Sequence, residues 1–384
     1  VVVLDRSGSM SGEKIEAARQ AIAELIQRLG PQDRFALVSY ANGVSRHTGL
    51  RSMSRYHRQA ATEILYGLAP GGGTNLGSGL QSGIELMQQQ MQARRRGRVL
   101  LISDGLANQG VTDPHRLGEM AAAATEGRIA VTTIGVGLEF NEHLLSLLAD
   151  RGAGRYYYLE HPNDFAGIFT GEWEHIQATA VSGIQVDVEL PEGIRVVSAS
   201  GYPVSLSHGA AVFTPGDLIS GQARTLYLTL QVPTDAARIV RLGRILVRFE
   251  HQGRHHELPL KGNLEVACSG DTEAVRAAVD KDRWAEKVVQ EDVNHLKESV
   301  AADIKAGRRE EALKKIRLFK SKGDAVNASV GSPVVSEALD VTAQELATEV
   351  SEAFAGPPAA AAEKRKQRSK ALQYEGYQKR RATP

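Results

Sequence analysis

Val1-Val2-Val3-Leu4-Asp5-Arg6-Ser7-Gly8-Ser9 decides how the chain is read. Its apolar start is β-branched and suits a strand buried on both faces; it ends on a carboxylate followed by small polar residues. The same grammar returns at Val99-Leu100-Leu101-Ile102-Ser103-Asp104-Gly105. A third segment, Gly71-Gly72-Gly73-Thr74-Asn75, is a glycine-rich loop opening a helix. Strand ends on one edge of a parallel sheet converge, so Asp5, Ser7, Ser9, Thr74 and Asp104 are expected to meet above it. Hydroxyls and carboxylates without thiol or imidazole make a hard oxygen site, suited to Mg²⁺ or Mn²⁺ rather than zinc.

Working outward, residues 1–175 alternate strand and helix patterns. Phe35–Tyr40 reads as a strand, with Asn42-Gly43 a tight hairpin turn into Val44–Leu50. Val99–Ser103 and Ile129–Val136 are buried-strand runs, and the tyrosine-rich Arg155–Leu159 is a final strand. Ile15, Ala18, Ile22, Leu25, Ile26 and Leu29 recur at helical spacing, as do Leu76, Leu80, Ile84 and Met87. Asp113-Pro114 supplies a cap and a first-turn proline for a helix through Thr125. Alternation of this kind gives an α/β, doubly wound, Rossmann-like and mostly parallel sheet, the hairpin adding one antiparallel edge strand.

The character changes near residue 178. Over 178–268 short alternating runs such as Ile184–Leu190, Thr225–Val232 and Arg244–Glu250 predict a small antiparallel β-sandwich. Over 271–355 apolar steps of three and four return, predicting a helical hairpin or bundle broken at Gly307. Gly356-Pro357-Pro358 and four alanines read as a linker, leaving residues 356–384 as linker and basic tail. Residues 363–384 carry eight Lys/Arg and two Glu, a net +6 inside a total of +1, so the other 362 residues sum to −5. A solvated tail and one docked on an acidic surface both fit that asymmetry; its removal is expected to leave the fold intact.

Hydrophobic residues at 42% and charged residues at 24% place the chain among ordinary globular proteins. No stretch approaches the roughly 20 apolar residues of a membrane span. The single cysteine, Cys268, excludes an intrachain disulfide and carries no neighbouring metal or catalytic signature. No leader is visible from Val1 onward, which favours the cytoplasm and leaves the periplasm or surface open to a chain with an upstream signal.

The three-segment set resembles the metal-ion-dependent adhesion site (MIDAS) of von Willebrand factor A (VWA) domains. The resemblance covers residues 1–175, and Asp-x-Ser-x-Ser…Thr…Asp is complete at Asp5, Ser7, Ser9, Thr74 and Asp104. It implies that Ser7, Ser9 and Thr74 coordinate Mg²⁺ (or Mn²⁺ or Ca²⁺) through their hydroxyls, Thr74 most directly when ligand is bound. Asp5 and Asp104 would act directly or through water, and an open position would take a carboxylate from a protein partner. The order of sheet, sandwich and helices resembles bacterial standalone A-domain proteins, as does Tyr374-Glu375-Gly376-Tyr377-Gln378. Some proteins of that group work beside AAA ATPases of the MoxR type, which makes such an ATPase a candidate partner.

Neutral hydroxyl ligands compensate metal charge poorly, so an ion held this way stays electrophilic toward an acidic side chain. The expected function is therefore metal-dependent protein–protein interaction, with no catalytic residues. Two rivals stand beside it. One is a Mg²⁺-dependent hydrolase, which lacks an obvious base but could recruit nearby Glu13 or Asn108; the other is a scaffold whose metal is only structural. Taken singly, Ser7, Ser9 and Thr74 also suit helix capping, and Asp104-Gly105 an ordinary turn. His251, His255 and His256 read as polar strand-face residues lacking a third ligand. Arg94-Arg95-Arg96 and Arg98 read as cations at a helix C-terminus rather than a nucleic-acid patch. Gly71-Gly72-Gly73-Thr74 lacks a P-loop lysine, so no nucleotide is expected.

Overall fold

Described in the structure, a computed structural model, are residues 1–90, 96–161, 164–207, 209–260 and 264–381. The central sheet contains β1 (Val2–Asp5), β2 (Leu37–Tyr40), β3 (Val44–Arg46), β4 (Gly97–Ser103), β5 (Ile129–Val136) and β6 (Ala153–Leu159). Their spatial order is β3-β2-β1-β4-β5-β6. All pairings are parallel except β2 with β3, the hairpin turning through Asn42-Gly43. This is the expected parallel sheet with one antiparallel edge strand.

Helices α1 (Glu13–Arg28), α2 (Arg55–Tyr66), α3 (Leu76–Gln88), α4 (Pro114–Glu126), α5 (Glu142–Arg151) and α6 (Phe165–Ala178) link and cover the strands. Alternate residues of a strand face opposite sides. Val2, Leu4, Leu100 and Ile102 thus pack with Ile15, Ile22 and Ile26 of α1 and Phe165 and Phe169 of α6. Val3 and Leu101, equally buried, lie on the other face. Ile22 is wholly buried, and its truncation to alanine would cost about 2–5 kcal/mol. Strand order reverses at β1, so the crevice typical of such sheets opens at the carboxyl ends of β1 and β4.

The chain divides into two compact units: residues 1–186 with 213–222 and 247–258, and residues 187–212, 223–246 and 259–384. The middle of the chain is β-rich, as its alternation predicts. β7 (Thr179–Glu189), β8 (Ser205–Ser207), β9 (Ala210–Ile219), β10 (Arg244–His251) and β11 (Arg254–Pro259) form a sheet of order β8-β9-β7-β10-β11. Two antiparallel pairs, Arg195–Ala199 with Leu228–Gln231 and Arg238–Arg241 with Glu265–Cys268, accompany it.

The second unit ends in helices α7 (Thr272–Ala277), α8 (Lys281–Lys287), α9 (Val293–Lys305), α10 (Arg309–Val330), α11 (Pro333–Ala353) and α12 (Pro358–Arg381). The last corrects the expectation of a linker and tail. Residues 358–381 are one helix, and Ala361, Leu372 and Tyr377 are buried. Leu372 joins the cluster of Leu296, Val300, Ile304, Leu346 and Val350. Polar contacts hold the end: Lys297 pairs with Glu375 at 2.8 Å, and Arg380 donates to the Gly201 carbonyl at 2.7 Å. The Arg380 guanidinium lies 4.7 Å from the Tyr377 ring centroid and 5.2 Å from that of Tyr202. Removing residues 363–384 would therefore strip buried side chains from the helical core, so the fold is not indifferent to the tail. Its apolar stripe is too thin for periodicity to reveal, because cations and aromatic faces share the docking.

Candidate metal centre

Asp5 closes β1, and the loop after it is clamped by backbone on both sides. The Arg6 amide donates to the Tyr40 carbonyl at 2.9 Å, the Gly71 amide to Arg6 at 2.7 Å, and the Gly8 amide to Gly72 at 3.0 Å. The loop around residue 7 is thus tied to the glycine run that carries Thr74. Gly72 sits at φ +86°, a left-handed conformation that a larger residue would adopt only with strain. Beside it, the Asn42 side-chain oxygen accepts from the Gly73 amide and from Gln109 Nε2. Asn42 therefore does more than turn the hairpin.

The five expected residues come together. Ser7 and Ser9 hydroxyls stand 3.1 Å apart, and Ser9 Oγ donates to Asp104 Oδ1 at 2.8 Å. Asp5 Oδ1 accepts the Ser7 amide at 2.8 Å, and Asp5 Oδ2 accepts from Ser103 Oγ at 2.9 Å. Thr74 converges on the same place from the other loop. A Cβ built on Gly105 would lie 3.3 Å from Thr74 Oγ1 and 3.6 Å from Ser9 Oγ, so this glycine leaves their hydroxyls room.

The capping explanation fails for these hydroxyls. The N-cap of α1 is Gly12, without a side-chain bond, and α3 is capped by Asn75, which accepts the Ser78 amide at 3.2 Å. Thr74 is instead fixed through its backbone. Its amide donates to Asn108 Oδ1 at 2.9 Å, and the Asn108 amide donates to its carbonyl at 3.1 Å. Asn108, considered above for the hydrolase reading, is thus a brace for the Thr74 loop. Glu13 is exposed.

Burial makes the cluster electrically tense. Asp5 and Asp104 have no exposed surface, Ser7 has 1% and Thr74 3%. Burial pushes the Asp5 carboxyl above its ordinary value against hydrogen bonds from Ser7 and Ser103, and the Asp104 charge adds to the rise. Among the described residues, the cation paired with these carboxylates is Lys14, whose ammonium lies 2.6 Å from Asp104 Oδ2. Two carboxylates against one ammonium leave one negative charge in a dry place, which favours a cation. The donors are all oxygen, three of them hydroxyls, and fit Mg²⁺, Mn²⁺ or Ca²⁺. Among the described residues no group of three or more His, Cys, Asp or Glu side chains gathers to hold a metal. A metal here would depend on the hydroxyls.

Sequence reasoning passed over Lys14, Ser103, Asn108 as a brace and Asn42. Only Ser103 carried a signal, being the polar end of an apolar run beside Asp104. The histidines follow the bland reading: His251 meets the Ala180 carbonyl, and His256 stacks on Phe249 at 5.2 Å. The arginine cluster needs correction. Arg94 and Arg95 lie outside the described residues, whereas Arg98 is a strand residue of β4, not a helix-end cation. It donates to Glu172 at 2.7 Å, Asp217 at 2.9 Å and Thr132 at 3.2 Å. Its alternation position points it into a buried ion network, a fact that a run of arginines conceals.

Residues 1–170 match the family model described as von Willebrand factor type A domain. The uncharacterized protein YfbK of Escherichia coli (strain K12) is 29% identical over 205 residues, which is 53% of this chain and 35% of that protein. Human inter-alpha-trypsin inhibitor heavy chain H1 is 23% identical over 237 residues, 60% of this chain and 26% of that protein. The chain thus spans about a third or less of these curated relatives. The solved structure titled von Willebrand factor type A from Catenulispora acidiphila superposes with a TM-score of 0.71 at 16% identity. That likeness covers 98% of this chain and 88% of the other, and is one of fold.

Proposed function

Residues 1–170 form a von Willebrand factor type A domain, a family known for metal-dependent protein–protein interaction, and on that premise we propose that this chain captures an acidic side chain of a protein partner. Ser7, Ser9, Thr74, Asp5 and Asp104 would hold Mg²⁺, Mn²⁺ or Ca²⁺. When bound, the ion supplies an electrophilic position for the partner's carboxylate. The chain's own residues do the rest. Ser103 and the Ser7 amide orient Asp5, Asn108 fixes the Thr74 backbone, and the Arg6–Tyr40 and Gly8–Gly72 bonds keep the two loops in register.

The observation that carries this reading is the convergence of three hydroxyls, unused by helix caps, on two wholly buried carboxylates. The role is binding rather than turnover. Calorimetric titration with Mn²⁺ is expected to give a saturable signal in the wild type and none in Asp5→Ala. Negligible heat in both would sink the metal reading. A partner retained with Mg²⁺ should be lost with EDTA and with Thr74→Ala. Phosphoesterase activity that vanishes in Asp104→Ala would overturn the non-catalytic role.

A further inference from the structure

Lys14 lies in the first turn of α1, the end of a helix where a cation is disfavoured by the dipole. It is nevertheless held by definite contacts. Its ammonium donates to Asp104 Oδ2 at 2.6 Å and to the Ser9 carbonyl at 3.3 Å. Its stem runs past Gly137 on β5's trailing turn, where a Cβ would lie at van der Waals distance, 3.4 Å from Lys14 Cε and 3.6 Å from Nζ. The lysine engages only the outer oxygen of Asp104. The inner one, Oδ1, faces Ser9 Oγ at 2.8 Å. Pairing with Lys14 and presenting Oδ1 to the hydroxyl cluster are therefore compatible, and the lysine need not leave when the cluster is loaded.

Resting on the metal reading above, we propose that Lys14 is the specificity-determining residue that makes the loaded site demand an anionic ligand. The charge count gives the reason. By formal count Asp5 and Asp104 match a divalent ion, so a further carboxylate would bind the open position yet leave the cluster with a net negative charge. With the ammonium of Lys14 held against Asp104, the loaded cluster carries one net positive charge, and one carboxylate from outside closes it. The same ammonium opposes entry of the ion. Lys14 thus trades intrinsic metal affinity for ligand affinity, in a site buried enough for a single charge to matter. Its head is 27% exposed on the side chain while Asp104 is fully buried, so the pair is only partly screened.

The test measures both affinities in the same protein. Mn²⁺ binding is followed by calorimetry. Acetate is then titrated into the Mn²⁺-loaded protein while water proton relaxation is recorded, since a carboxylate entering the ion's shell displaces relaxing water. In Lys14→Met the expected results have opposite signs: Mn²⁺ binds about tenfold more tightly and acetate about tenfold more weakly. Lys14→Arg should return both to within about threefold of the wild type, because charge rather than stem chemistry is at work. If both affinities fall together in Lys14→Met, the lysine only positions Asp104 and the proposal is overturned; unchanged affinities overturn it equally. Should Lys14→Met fail to fold, Lys14→Gln keeps a donor toward Asp104 and carries the same test. A wild type that binds no Mn²⁺ removes the metal reading, and this inference with it.

Discussion

The two ends of β4 bury charge in opposite ways. At its start, Arg98 meets Glu172 at 2.7 Å and Asp217 at 2.9 Å. Glu172 also accepts from Tyr157 at 2.7 Å and Thr132 at 2.8 Å, and Asp217 from the Gly183 amide at 3.0 Å. At its end, Asp104 meets the Lys14 ammonium and the Ser9 hydroxyl, while Asp5 meets the Ser7 amide and the Ser103 hydroxyl. Burial opposes ionisation at both ends. Even so, the Arg98 charge with the Tyr157 and Thr132 hydrogen bonds holds Glu172 below its ordinary value, while Asp5 is pushed up. A buried cluster whose charges and hydrogen bonds are satisfied is a structural fastening. One in which a carboxyl is pushed up, as at Asp5, leaves its ionised form poorly compensated. Each end sets two carboxylates against one cation, so what tells them apart is the surrounding support: hydrogen bonds and the nearby Arg155 charge hold Glu172 down, whereas Asp5 is pushed up.

The sharpest way to break this contrast is Arg98→Met. It should destabilise the protein by about 3–5 kcal/mol in urea unfolding, because two buried carboxylates lose their partner. A cost under about 1 kcal/mol would mean that the network is not closed.

Next in size is acid sensitivity at the same end. Burial, with the charges of Arg155 and Arg98, lowers the pKa of His175 from 6.5 to about 4. The unfolded chain then binds the proton more readily than the folded one, so stability present above pH 6.5 is lost as pH falls toward 4. The loss is on the order of 3 kcal/mol for such a shift. Glu172, depressed below 4.5, acts in the same direction at still lower pH. His175→Gln should flatten the upper part of the profile in thermal melts between pH 7 and 4; an unchanged slope would assign the sensitivity elsewhere.

At the other end, Mn²⁺ at a hundred times its dissociation constant should raise unfolding free energy by about 2.7 kcal/mol. Asp5→Asn should abolish that gain yet leave the metal-free protein within about 1 kcal/mol of wild type, since a buried charge beside another is removed. If Asp5→Asn destabilises as much as Arg98→Met, the two ends are alike after all. Smallest is Asn108→Ala, which leaves the Thr74 amide without its side-chain acceptor at about 1 kcal/mol. Calorimetry should report weaker Mn²⁺ binding without loss of the fold.

The central sheet was legible because strands buried on both faces are continuous apolar runs, as at Val1–Leu4 and Ile129–Val136. The convergence of the five candidate residues was legible because each follows such a run or opens a helix. Lys14 was not, for a lysine on a helix's first turn looks like solvent-facing charge, and its partner lies 90 residues away. Arg98 was misplaced because a cluster of arginines suggested a helix end, whereas alternation along β4 points it inward to Asp217, 119 residues away. The last helix hid for a related reason: Leu372 and Tyr377 mark its buried side so sparsely that composition outweighed periodicity.

By itself, then, the sequence determined the order of strands and helices, the edge hairpin and the kind of atoms at the site, since hydrophobic period and side-chain chemistry are local properties. How charge is balanced was decided only by tertiary structure. Whether a buried carboxylate meets an arginine, a lysine or a hydroxyl depends on residues far apart in the chain, and no local pattern records who stands across the gap.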